Sequence, residues 1–296
     1  MRMCLCVGLI VLALGGPAQA ETVPAGCDVL TRAVQVTGYA LTVPPAGPEA
    51  GWCVLDGAAL RSEAPGRPDL TADRLRLRGT ADDAGLVSIE VDLAGLRVLP
   101  KAGDRALDDR LRSLFRLQTA ELRFAVAVDP GTDRLDLRDG VLRLSGGTEV
   151  IFSAVGKASG LSAVALLGGS LTGLDVVWRN DGRLLRPVME MLGERLSGGA
   201  TGGAAVEAAR LALRQLVDNL PDAALTEDTR PELEQLVTAL PQGRGRLTLS
   251  LMVEDGIGAS RLLMAGLSDD PLGPKGLALV LQGARLTALW TPGLAP

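Results

Sequence analysis

The sequence predicts an α+β fold: a curved, mostly antiparallel β-sheet with about four amphipathic helices packed on its apolar face. Three observations predict it. Apolar and polar residues alternate with period two along many strand-length stretches, as half-buried antiparallel strands do. Four other stretches carry apolar residues at helical spacing, and three of these are grouped together. Strands stand on both sides of that helical block, which favours one layered α+β domain over residues 21–296.

Residues 1–20 read as a secretory signal peptide, with Arg2, an apolar run over 4–14, a Gly15-Gly16-Pro17 break and the small-residue site Ala18-Gln19-Ala20. Cleavage is expected between Ala20 and Glu21. The apolar run of about 11 residues falls short of the roughly 20 that a spanning helix needs, so no transmembrane anchor is expected after cleavage. Next, Val34 and Val36 alternate with Gln35 and Thr37 as in a strand; Pro44-Pro45 interrupts, and residues 52–55 resume the strand pattern. Leu75 and Leu77, then Val87, Ile89, Val91 and Leu93, form a hairpin turning at Asp82-Asp83-Ala84-Gly85. Its opposite face is charged, through Arg74, Arg76, Arg78, Glu90 and Asp92.

Leu107, Leu111, Leu114 and Phe115 mark the first helix, opened by Asp104. Strand patterns return over 122–128, 135–144, 150–152 and 171–178, with Asp129-Pro130-Gly131-Thr132 as a turn. Three helical stripes follow, at 185–196, 206–220 and 233–240. The last is opened by Pro231 and stopped by Pro241. Residues 197–203, rich in glycine, read as a flexible helix–helix connection. Leu247, Leu249, Leu251 and Val253 give the sharpest alternation in the chain, and a return strand is expected over 261–264 after the Asp255-Gly256 turn.

Composition excludes more than it selects. The formal charge is −5, or −6 without Arg2, so nucleic acid is not an expected partner. Lysine occurs only at 101, 157 and 275, and the arginine excess reads as the coding bias of a GC-rich genome. Histidine is absent, which removes the commonest general base and the commonest zinc ligand. With three Phe, three Trp and one Tyr, the core must be aliphatic, and platforms for stacking sugars or bases are scarce.

Of four cysteines, Cys4 and Cys6 lie in the signal peptide. Cys27 and Cys53 remain, and in an oxidising compartment they are expected to pair, as a clasp between adjacent strands. Closing a loop of about 27 residues is worth roughly 3–4 kcal/mol on the chain-entropy model.

No residue is cast as catalytic, cofactor-binding or metal-ligating, and no cofactor is expected. The Gly198–Gly203 stretch before a helix lacks the ending of a phosphate-binding loop. Lys157 and Ser159 are two residues apart but sit in no serine-hydrolase motif. The adjacent acids Asp82-Asp83, Asp108-Asp109, Glu227-Asp228 and Asp269-Asp270 lie beside turns or helix starts, where acids have structural work. The turn from Asp129 to Asp133 lacks the Gly and Glu placement of an EF-hand calcium loop.

The segments FRLQTAELRF (115–124), WRNDGRLLRP (178–187) and LPQGRGRLTL (240–249) resemble those of exported alphaproteobacterial proteins with no assigned activity. The Leu-x-Leu hairpins are similar in pattern to AsmA-like envelope proteins, a likeness that implies a lipid-facing sheet. The expected role is that of a soluble periplasmic, non-enzymatic envelope protein that binds an apolar ligand or an envelope protein partner, or acts as a scaffold. The alternatives are a carboxylate-dependent hydrolase of envelope glycans and a structural subunit of an envelope complex.

Overall fold

The computed structural model describes residues 23–293, apart from 37–38, 43–46, 65, 84, 117, 182–183 and 268–269. The signal peptide and the Ala20–Glu21 cleavage site lie outside the described residues. The fold is α+β, with extensive antiparallel strand pairing. Two compact units form, one from the described residues of Met1–Leu117, Ala125–Leu135 and Ala158–Gly168, the other from Gln118–Phe124, Asp136–Lys157 and Gly169–Pro296.

The first unit holds β1 (Val23–Pro24), α1 (Cys27–Val36), β2 (Ala40–Leu41), β3 (Gly47–Glu49), β4 (Trp52–Arg61), β5 (Asp69–Asp82), β6 (Gly85–Leu99) and α2 (Arg105–Phe115). Its sheet is antiparallel. Cys53 lies opposite Leu77 and Leu77 opposite Val91; Leu55, Leu75 and Leu93 form the next row. All six are buried, as the aliphatic alternation requires. The other face carries the charged rows, with Arg76 paired to Asp92 and Arg78 to Glu90 at 2.6 Å. Trp52 stacks against both guanidinium groups, 5.0 Å from that of Arg76 and 4.5 Å from that of Arg78.

Residues 27–36 are helical rather than extended. The Val34/Val36 alternation is too short to outweigh the helical placement of Leu30, which is 1% exposed as α1 packs against β5. Strands β7 (Ala120–Asp129) and β8 (Arg134–Leu144) contribute residues to both units, and the short helix α3 (Ala163–Leu167), capped by Ser162, belongs to the first.

The second unit holds β9 (Glu149–Lys157), β10 (Ser170–Asn180), α4 (Leu185–Ser197), α5 (Gly202–Asp218), a 3-10 turn (Asp222–Ala224), α6 (Thr229–Ala239), β11 (Gly245–Gly258), α7 (Ala259–Gly266), α8 (Pro274–Val280) and β12 (Ala284–Pro292). Strands β9, β10, β11 and β12 pair antiparallel in that order. One face is aliphatic and covered. Leu233, Leu236 and Ala239 of α6 pack over Trp178, Leu247, Leu249, Ala288 and Trp290. Ala224, Val280 and Leu281 close over Leu251, Val253, Ile257 and Ala284. Met189 of α4, Val206 and Ala209 of α5, and Leu240 make a further cluster.

Eight α-helices form among the described residues, not about four. The four expected from periodicity are α2, α4, α5 and α6. The others are α1 and three short helices whose apolar residues are too few to display a period. Residues 261–264 belong to α7, where a return strand was expected; the returning strand is β12, after α8.

Candidate functional site

Cys27 and Cys53 form a disulfide with their Cα atoms 5.2 Å apart. The bond ties the first turn of α1 to β4, so it is a helix-to-strand clasp and not a strand-to-strand one. No helix of the described residues is long and apolar enough to cross a membrane.

Three acids of the adjacent pairs, Asp82, Asp108 and Asp109, have local partners. Asp82 accepts the Gly85 N–H at 3.1 Å in the β5–β6 turn. Asp108 accepts the Ala102 N–H and Asp109 pairs with Arg112, while Asp228 occupies the N-cap position of α6 without a side-chain capping bond. Asp269 lies outside the described residues. In the turn after β7, Asp129 accepts the Thr132 hydroxyl at 2.8 Å and the Gly131 N–H at 2.9 Å, which hold its carboxyl below the usual range. Lys157 ends β9, and Ser159 lies in the bend beyond it. Gly198 takes a left-handed conformation that ends α4, and α5 starts at Gly202, so the glycine-rich stretch is a helix–helix connection. Among the described residues no group of three or more Cys, Asp or Glu could hold a metal ion.

The second unit contains a cleft of about 440 Å³ where the β8–β9 turn meets the end of β10 and the start of β11. Sequence reasoning missed it, because its residues come from three distant segments. Register assembles them: Glu149 lies opposite Arg179, and Arg179 opposite Arg246. Glu149 holds two cations, accepting from Arg143 Nε at 2.7 Å and from Arg179 at 3.1 Å. Next to them in the chain, Asn180 donates to the Gly243 carbonyl at 2.7 Å and accepts from the Thr148 hydroxyl at 3.4 Å, a buried pair at the same end of the strands. Arg246 is exposed and has no ion pair among the described residues.

A second feature lies at the other end of β11. Helix α7 packs on β11 and α8 with its amphipathicity inverted. The buried position is Ala265, 3% exposed, while Leu262, Leu263 and Met264 are 52%, 67% and 55% exposed, and Leu267 just after the helix is 86% exposed. Large aliphatic side chains normally turn inward on a surface helix. Leu272, before α8, and Met252 of β11 are exposed as well.

Comparison with known proteins matches the chain to no family model and to no curated relative.

Proposed function

We propose that the chain is an exported, non-enzymatic protein of the cell envelope that works by binding an apolar surface through α7, and that this surface is a lipid bilayer. The observation that carries the reading is the exposure of Leu262, Leu263, Met264 and Leu267 around a helix whose one buried position is an alanine. The apolar sheet face of the second unit is covered by α6, the 3-10 turn and α8, so α7 rather than a sheet groove is the apolar contact. The exposed apolar residues are three leucines and a methionine, without the Trp or Tyr anchors that dominate protein–protein hot spots, and Arg261 beside them donates to the Gln282 carbonyl at 2.9 Å. Aliphatic side chains on a short helix suit insertion at the headgroup boundary. At roughly 1 kcal/mol for each half-exposed leucine or methionine, the attachment is weak and reversible. The signal-peptide pattern at 1–20 and the Cys27–Cys53 bond support an oxidising, extracytoplasmic setting.

Flotation with phosphatidylcholine vesicles tests the reading. The processed chain should float in part, and the Leu263→Asp/Leu267→Asp variant should stay at the bottom. A wild-type chain that fails to float, or floats no better than the variant, overturns it. Fractionation of producing cells checks the address: recovery of an unprocessed chain in the cytoplasm removes the export half of the proposal.

A further inference from the structure

The cleft of the second unit carries an independent inference. Arg179 and Arg246 are directly opposed across β10 and β11, a like-charge arrangement that is destabilising by itself. Glu149 relieves only part of it, because its two oxygens are taken by Arg143 and Arg179. Arg143 spends Nε on that carboxylate and Arg179 spends one terminal nitrogen, so each keeps guanidinium N–H groups to offer. Asp181 also lines the cleft, and its carbonyl oxygen accepts from Arg244 Nε at 2.8 Å. Counting Arg143, Arg179 and Arg246 against Glu149 and Asp181, the lining has an excess of cations in a chain of net charge −5.

Other arginines of this unit are used differently. Arg230 donates to the carbonyls of Val217 and Leu220 and to Asp222, and Arg210 donates to Leu240 O and Glu207. Those guanidinium groups close helix ends. Arg246 closes nothing.

We infer that this cleft is a binding site for a phosphate-bearing anion, with Arg246, Arg179 and Arg143 as its cationic donors. A phosphate monoester offers three terminal oxygens to separate forks, whereas a simple carboxylate offers two in one plane. Arg179 and Arg246 stand on neighbouring strands, about 4.8 Å apart at the backbone, which suits a tetrahedral acceptor seated between their side chains, while Arg143 reaches in from β8, two strands beyond Arg179. A volume of about 440 Å³ lies within the range of small-ligand sites and leaves room for the group that carries the phosphate. The chemistry is shared by a soluble phosphate ester and by a phospholipid headgroup.

The test is titration calorimetry of the processed chain with glycerol 3-phosphate and with inorganic phosphate, using acetate at equal ionic strength as the control. Saturable binding is expected for the phosphates, weakening as salt rises. Arg246→Ala should weaken it roughly tenfold or more, and Arg246→Lys less. In phosphate-free buffer Arg246→Ala should melt no lower than the wild type, since it removes a like-charge contact. Adding phosphate should raise the wild-type melting point more than that of the variant. Flotation of both chains with vesicles containing phosphatidylglycerol separates the sources: an Arg246-dependent gain over phosphatidylcholine alone, without soluble binding, assigns the site to a headgroup. Because flotation on phosphatidylcholine depends on α7, failure there leaves the cleft unaffected. Absence of both soluble and headgroup binding, equal binding by Arg246→Ala, or equal binding of acetate overturns the inference.

Discussion

The Cβ that Gly193 lacks would fall 1.6 Å from the carbonyl oxygen of Ala205, closer than any side chain can approach a backbone atom. Gly193 sits in α4 and Ala205 in α5, so this contact sets how near the two helices lie above Met189, Val206 and Ala209. The obstacle is backbone, which no rotamer change relieves. Gly193→Ala is therefore expected to cost roughly 3 kcal/mol, the upper end for overpacking, despite alanine's better helix propensity. At Gly203 in α5 an added Cβ would meet nothing within 4 Å. Gly203→Ala should accordingly stabilise by about 0.5–1 kcal/mol. Urea unfolding of the two variants reads both signs, and two effects of like sign would refute the packing argument.

The Cys27–Cys53 bond is the tether of α1. Beyond it the helix is held through Leu30 and its packing on β5. Replacing both cysteines by alanine should cost roughly 3 kcal/mol on the chain-entropy model. The loss is expected to be local first, with faster amide exchange over 27–36 than over the strands of the first unit. Mass-resolved exchange with and without dithiothreitol measures this. Uniform acceleration through β4, β5 and β6 at equal stability would contradict a tethering role.

Asp69 sets a pH dependence. Its Oδ1 accepts from Lys101 Nζ at 2.7 Å and from the Ser62 N–H at 3.0 Å, and these bonds hold the carboxyl below its ordinary value of 3.8. A group with a depressed folded pKa contributes stability that is full above its unfolded value and is lost as pH falls through the folded one. Asp69→Asn imitates the protonated form. The variant should melt below the wild type at neutral pH, and the gap should close as pH falls below 3.8. Melting curves from pH 7 to 2 check it; a gap of constant size would assign the loss to packing instead.

What the chain discloses before folding depends on how local the controlling interaction is. The β5–β6 hairpin and helices α2, α4, α5 and α6 were legible because each displays its period within one uninterrupted run of the chain. Leu262-Leu263-Met264 has no period, so α7 could not be told from a strand, and its exposure is a tertiary fact. Val34 and Val36 mimic a strand inside α1. The cleft was illegible for another reason: Glu149, Arg179 and Arg246 each occupy an ordinary polar position of an alternating strand, and only register makes them neighbours. The arginine excess is likewise structural in part, since Arg210, Arg230 and Arg244 donate to main-chain carbonyls.

Strand β12 ends the paired order β9–β10–β11–β12 of the second unit, and its outward main-chain groups are met by side chains of α6. Thr229, fully buried, donates its hydroxyl to the Leu286 carbonyl at 3.1 Å, accepts the Ala288 N–H at 3.3 Å and shares a 2.6 Å bond with Thr226 Oγ1. Glu232 accepts the Trp290 N–H at 2.7 Å. An edge strand left with open N–H and C=O groups is a template for pairing with another chain. Thr229→Val keeps the volume but orphans buried groups, at an expected cost of roughly 1–3 kcal/mol. Combined with Glu232→Ala it should also release β12 for intermolecular pairing. The double variant should therefore lose stability and form oligomers on warming, read by light scattering below the melting point. A double variant that stays monomeric while losing the expected stability would show that these bonds stabilise β12 without guarding its edge.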